Sequence, residues 1–140
     1  FLKKKSMSSS QKINNMKRIL FLLLTLVLFG CSDPRADDKE YVINYALVQS
    51  SPSAVERRYE GKITARELAE CLTNEISNQL DDDLSWAFFI DSLKLEDDLI
   101  SSTEFTEKYS NLDDDELDQL DDKMRRASET AEVNCNPLKQ

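Results

Sequence analysis

The stretch LSWAFFIDSLKL, Leu84 to Leu95, decides how this chain folds. It holds the densest group of apolar side chains downstream of Cys31, namely Trp86, Phe88, Phe89, Ile90 and Leu93. A helical segment that is apolar on most of its surface is normally buried by its neighbours. We therefore expect this stretch to form the core of a small domain. The alternative is that its apolar side chains line a groove for a ligand or a partner.

The segment before this stretch predicts a longer helix with one apolar face. Thr64 is followed three residues later by Glu67, the spacing of a capping box at a helix N-terminus. Apolar residues then recur every four positions, at Leu68, Leu72, Ile76 and Leu80. The acidic run Asp81–Asp83 interrupts the pattern, so we expect the helix to end before it.

The segments after it predict two more helices. Ser101 and Glu104 form a second candidate capping box, which opens a short helix. The run Asp113–Glu116 introduces the last helix, which Pro137 ends because the proline ring clashes with the preceding turn. The apolar stripe of the last helix consists of Leu117, Leu120, Met124, Ala127, Ala131 and Cys135.

The N-terminal part of the domain is less uniform. Ser51 and Pro52 predict the start of a short helix that stops at Gly61. Tyr41–Val48 has the composition of a buried strand, yet Asp37 and Asp38 upstream and the helices downstream favour a helix. Hairpin-rich β folds use glycine in their turns, and this chain contains only 2 glycines. We predict an all-α fold, a small bundle of four or five short helices over residues 41–140.

A leader precedes this domain. Met16–Cys31 reads MKRILFLLLTLVLFGC, in which Lys17 and Arg18 are followed by an uncharged run from Ile19 to Phe29. The run is about half as long as a membrane-spanning helix requires. Basic residues, a short apolar run and a small residue at its end are together typical of a cleaved signal peptide, here over residues 16–30. Residues 1–15 are rich in lysine and serine and begin with phenylalanine. We interpret them as a disordered, over-extended N-terminus, with the natural start at Met16 or Met7.

The last residues of the leader, Leu28, Phe29, Gly30 and Cys31, resemble the lipobox of bacterial lipoproteins. The resemblance implies cleavage between Gly30 and Cys31, a diacylglycerol on the Cys31 thiol and acylation of its new amino group. It also implies a place in the bacterial cell envelope, and Ser32 favours the periplasmic face of the outer membrane if the cell is Gram-negative. The alternative is an ordinary signal peptide that leaves Cys31 unmodified. Residues 31–40 are predicted to be the lipid-bearing cysteine and a flexible tether.

The two remaining cysteines predict a disulfide. In an oxidising envelope, an even pair such as Cys71 and Cys135 is normally bridged. Each lies on or beside the apolar stripe of its own predicted helix, where packed helices bring side chains together. A redox-active pair is the alternative, but the sequence contains no Cys-x-x-Cys motif.

Charge defines the class of partner. All 27 acidic residues follow Cys31, whereas only 12 of the 18 basic ones do, so the part after Cys31 has a formal charge of 12 − 27 = −15. Such a surface repels nucleic acid and favours cationic proteins or divalent cations. The acids cluster at Asp81–Asp83, Glu96–Asp98, Asp113–Glu116 and Asp121–Asp122. They lack the alternating ligands and the glycine of an EF-hand loop, and acids at helix N-termini are favoured by the helix dipole.

No catalytic chemistry is indicated. The chain has no histidine, no glycine-rich phosphate loop and no G-x-S-x-G motif. Paired carboxylates of a hydrolase need a desolvated cleft, whereas these acids are predicted at solvated helix ends. We expect a non-enzymatic, lipid-anchored envelope protein without a cofactor that binds a basic envelope protein such as a toxin or a wall hydrolase. The alternative is a divalent-cation-binding or structural envelope lipoprotein.

Overall fold

A computed structural model describes residues 33–139 of the chain. The predictions for residues 1–15, the signal peptide 16–30, its cleavage after Gly30 and lipid attachment at Cys31 lie outside the described residues. Arg35–Gln140 forms one compact unit. No helix in the described part is long and apolar enough to span a membrane.

The described residues form six helices and no strand, so the prediction of an all-α fold is confirmed. The helix count is slightly higher than the four or five that we expected. Tyr41–Val48 lies within the first helix, which confirms the helical interpretation of that segment. The helices are α1 (Ala36–Gln49), α2 (Pro52–Arg58), α3 (Ala65–Gln79), α4 (Asp83–Glu96), α5 (Ser102–Lys108) and α6 (Asp114–Asn134).

The capping boxes predicted at Thr64 and Ser101 are present at the N-termini of α3 and α5, and α6 has a third, between Asp113 and Glu116, that was not predicted. In each capping box, the cap side chain accepts a hydrogen bond from the backbone N–H of a glutamate, the third residue of the helix. The side chain of that glutamate accepts a hydrogen bond from the backbone N–H of the cap residue. At α4, Asp82 is the cap, and its Oδ1 accepts a hydrogen bond from the Ser85 N–H at 2.7 Å. Because these contacts are local, four helix starts follow directly from the order of the residues.

Helix α4 supplies the main core, as predicted for Leu84–Leu95. Trp86, Phe89 and Ile90 are buried against side chains from α1, α3 and α6. Leu80 at the end of α3 and Ala131 on α6 are completely buried. The α4 segment thus joins the other long helices into one apolar interior.

The opposite face of α4 holds a second, smaller cluster. The Phe88 ring packs at a tilt against Phe105 and edge-to-face against Tyr109, with ring centroids 5.4 and 4.9 Å away. The buried Asp91 accepts hydrogen bonds from the Tyr109 hydroxyl at 2.7 Å and the Lys108 Nζ at 2.5 Å. Burial and the hydrogen bond to Asp91 raise the pKa of Tyr109 well above its usual range. These contacts hold the short helix α5 on α4.

The predicted disulfide is confirmed. Cys71 on α3 and Cys135 at the C-terminal end of α6 are bonded, with their Cα atoms 5.9 Å apart. Cys135 is buried. The bond fixes the end of the last helix to the middle of α3, one helical turn after the buried Ala131.

The prediction of a flexible tether over residues 31–40 is wrong for residues 36–40, because α1 begins at Ala36. Arg35, just before it, is bound to the domain. Its guanidinium donates to the backbone carbonyls of Ser77 at 3.1 Å, Leu80 at 2.7 Å and Asp81 at 3.0 Å. The last carbonyls of a helix have no partner within the helix, so an arginine that reaches them satisfies the C-terminus of α3.

Arg35 is also stacked on the core. Its guanidinium lies 5.1 Å from the ring centroid of Trp86, whose Nε1 donates to Asp38 of α1 at 3.0 Å. This set of contacts joins the start of α1 to the junction of α3 and α4. It makes the first turn of α1 part of the domain.

We expect Arg35→Ala to lower the free energy of unfolding by about 2 kcal/mol, because charged hydrogen bonds to α3 and the contact with Trp86 are lost together. Urea denaturation measures the change. Arg57→Ala removes an exposed arginine of α2 and serves as the control, with an expected change within about 0.5 kcal/mol. Equal denaturation midpoints for the two variants would contradict the role of Arg35.

Candidate binding surface

The N-terminal half of α6 is the most acidic segment of the domain. Residues 113–122 include seven carboxylates and no cation, and all seven are exposed. Asp113 and Glu116 form the capping box, with N–H to carboxylate distances of 2.8 and 3.0 Å. We call residues 113–122 the acidic segment.

Most carboxylates of the acidic segment are not neutralised by the domain itself. Asp122 accepts a hydrogen bond from the Arg125 guanidinium at 2.8 Å, which holds its pKa below the usual range. No ion pair with any residue of the described part is formed by Asp114, Asp115, Asp118 or Asp121. Their negative charge is therefore exposed to solvent and to any approaching partner.

A second acidic run is brought to α6 by a lysine. Lys123 donates to Asp81 at 3.3 Å and to Asp82. The bond to Lys123, with those from Ser85, holds the pKa of Asp82 far below its usual range. Lys123, the residue directly after the acidic segment, thus connects α6 to the acidic run Asp81–Asp83 between α3 and α4.

The run Glu96–Asp98 has a different role. The Tyr41 hydroxyl donates to Asp97 at 3.0 Å, and the Tyr45 hydroxyl donates to Glu96. Burial and the bond to Asp97 raise the pKa of Tyr41 to about 12, and the bond to Glu96 with burial raises that of Tyr45 to about 12. These acids hold α1 on the end of α4.

Across residues 33–139, no three histidine, cysteine, aspartate or glutamate side chains are grouped so that they could hold a metal ion. Cys71 and Cys135, the two described residues that the sequence singled out, form the disulfide described above. The carboxylate that is buried within the described residues, Asp91, is bonded to Lys108 and Tyr109.

A groove of about 600 Å³ lies beside the acidic segment, between α6, the end of α3 and the start of α4. Its apolar surface comes from Leu84, Leu112, Leu120 and Ala127. Its edges carry the polar and charged side chains of Gln79, Glu116, Gln119, Asp122, Lys123 and Arg126. We call it the α6 groove.

The sequence does not predict the α6 groove, because Leu84 lies within the stretch that is expected to form the core. Leu84 is 46% exposed. It lies two positions from Trp86, and such residues do not share a helix face. It lies instead one turn before Phe88, beyond the end of the aromatic cluster. The spacing could therefore have separated Leu84 from the main core around Trp86, but not from the second cluster around Phe88.

These observations place an exposed row of carboxylates beside an apolar groove on one side of the domain. Comparisons of the chain with protein-family models, with curated proteins and with solved structures found no match.

Proposed function

We propose that this protein is a lipid-anchored lipoprotein of the bacterial envelope, whose helical domain binds a basic protein and catalyses no reaction. The anchor rests on the resemblance of Leu28–Cys31 to a lipobox. The observation that carries the binding role is the acidic segment, in which four exposed carboxylates form neither an ion pair nor a capping hydrogen bond with the described residues.

The spacing of these charges supports attraction of a cationic protein. Ten helical residues rise about 15 Å, and the Debye length at physiological ionic strength is about 8 Å. Neighbouring carboxylates therefore reinforce one another's field over the distance at which a partner first approaches. A surface of one sign accelerates association with a protein of the opposite sign.

The surroundings of the carboxylates favour binding over catalysis. A carboxylic acid catalyst needs a desolvated site that raises its pKa. The carboxylates of the acidic segment are exposed, and the pKa of Asp122 is lowered by Arg125. Solvated, ionised carboxylates are suited to attracting cationic side chains. A toxin or a wall hydrolase with a basic surface is the class of partner that we propose.

We expect residues 32–140, which contain the whole compact unit, to bind a basic lysozyme used as a probe protein. The affinity should fall steeply as sodium chloride is raised from about 50 to about 400 mM, because exposed charge pairs are screened. The combined variant Asp114→Asn, Asp115→Asn, Asp118→Asn should bind about tenfold more weakly, since each exposed pair contributes up to about 1 kcal/mol. Biolayer interferometry measures both effects.

A matched control distinguishes the effect of the acidic segment from the effect of net charge. The combined variant Glu56→Gln, Glu107→Gln, Glu132→Gln removes the same charge from exposed positions outside the acidic segment. It should bind the probe within about threefold of the unchanged domain, since these charges are largely screened from the acidic segment. Binding that is insensitive to salt, or equal weakening by both triple variants, would contradict the proposal.

A further inference from the structure

The α6 groove and the acidic segment are parts of one surface. Glu116, Gln119 and Lys123 recur at helical spacing along the edge of the groove. Asp115, Asp118 and Asp122 recur at spacings of three and four residues and so form an adjacent row on the same helix. A ligand that fills the groove therefore passes directly beside these carboxylates.

The groove has the dimensions and the surface of a binding site for side chains. A volume of about 600 Å³ lies within the range of ligand sites in proteins. Leu84 at its edge is 46% exposed, and Leu120 and Ala127 at its base are buried. An apolar group that entered the groove would remove the exposed surface of Leu84 from water.

The charge at the groove edge selects the ligand. The cations there are already paired, because Lys123 bonds Asp81 and Asp82, and Arg126 lies 3.6 Å from Asp122. The carboxylates of Asp115 and Asp118 beside them have no such partner among residues 33–139. The uncompensated charge is negative, so an occupant gains most if it is cationic.

We infer that the α6 groove binds a basic amphipathic segment of the partner protein, with an apolar side chain over Leu84 and lysine or arginine residues against Asp115 and Asp118. The inference rests on the proposed function and adds the place and the chemistry of recognition. Helix-in-groove recognition combines an apolar anchor with polar contacts at the rim in this way. A second copy of the chain is disfavoured as the occupant, because two surfaces with a formal charge of −15 repel each other.

Two probe peptides test the inference. One is a helix-forming peptide of leucine and lysine with an apolar face, and the other is oligolysine with the same number of lysines. We expect residues 32–140 to bind the leucine–lysine peptide at least tenfold more tightly than oligolysine in isothermal titration. Methyl signals of Leu84, Leu112 and Leu120 should shift in NMR spectra with the first peptide only.

Variants locate the contact. Leu84→Asn should weaken binding of the leucine–lysine peptide at least fivefold and leave oligolysine unaffected. The matched control is Leu99→Asn, since Leu99 is 62% exposed in the turn after α4 and does not line the groove. Gln119→Arg, a substitution of an exposed residue at the groove edge, should also weaken binding of the leucine–lysine peptide. It is not expected to disturb the core.

The outcomes separate this inference from the proposed function. Equal affinity for both peptides, or equal effects of Leu84→Asn and Leu99→Asn, would overturn the inference. The proposed function would still hold if oligolysine binding depends on salt and is lost in the combined variant Asp114→Asn, Asp115→Asn, Asp118→Asn. Failure of both peptides to bind would overturn the inference and the proposed function together.

Discussion

Replacing Cys71 with serine is expected to lower the free energy of unfolding by about 4 kcal/mol. The bond to Cys135 closes a loop of 64 residues, and the chain-entropy model gives about this value for a loop of that length. The loop contains the second half of α3 and all of α4, α5 and α6, so most residues of the main core lie within it. Small domains have total stabilities of about 5–15 kcal/mol, and the loss is a large share of that.

Urea denaturation of residues 32–140 measures this effect. Trp86, the single tryptophan, is buried in the main core, so its fluorescence reports on the packing of that core. Reductant should destabilise the unchanged domain to the same extent as Cys71→Ser. The control is the double variant Cys71→Ser, Cys135→Ser, whose midpoint should not respond to reductant. If reductant also leaves the denaturation midpoint of the unchanged domain where it was, the expected contribution of the disulfide to stability is refuted.

The parts of the fold that could be predicted depend on neighbours in the sequence. Thr64 and Glu67 are three residues apart, and so are Ser101 and Glu104, so each capping box is complete within one helical turn. The stripe that repeats every four residues is buried only at its C-terminal end, at Ile76 and Leu80, because residues four apart drift slowly around a helix and Leu68 and Leu72 are only partly buried. The disulfide followed from the number of cysteines and the expected compartment.

The parts that were missed depend on contacts between distant segments. Arg35 binds carbonyls that lie 42 to 46 positions further along the chain, and no local pattern announces them. Its docking is the reason that the tether was predicted too long. The division of α4 between two clusters has the same origin, because Phe88 packs against Tyr109 only once α5 has folded back.

The candidate site was predicted in composition but not in shape. The acidic run Asp113–Glu116 predicts the start of the last helix through the helix dipole, and the capping box that it forms is an additional finding. The position of this run beside the α6 groove could not be predicted from the sequence, because the groove is formed by the packing of α6 against the ends of α3 and α4. Leu112 and Leu84 contribute to one surface only after that packing has taken place.

Replacing Cys31 with alanine in the full chain is expected to abolish lipid attachment. When the chain is expressed in a bacterium that processes lipoproteins, the unchanged protein should incorporate labelled palmitate and sediment with membranes. Each buried methylene contributes about 0.8 kcal/mol to membrane binding, so several acyl chains give a stable anchor. Without the Cys31 thiol there is no acceptor for the first lipid, so the label should be absent.

Two comparisons make this result specific to Cys31. Ser32→Ala alters the next residue without removing the thiol and should incorporate palmitate normally. The mature N-terminus of the unchanged protein should be residue 31, blocked by its acyl group and identified by mass spectrometry. Because Arg35–Gln140 is a compact unit with its own core and disulfide, Cys31→Ala should not alter the denaturation midpoint. Palmitate on the Cys31→Ala protein, or an unmodified cysteine at the mature N-terminus, would show that the chain carries an ordinary signal peptide or is anchored elsewhere.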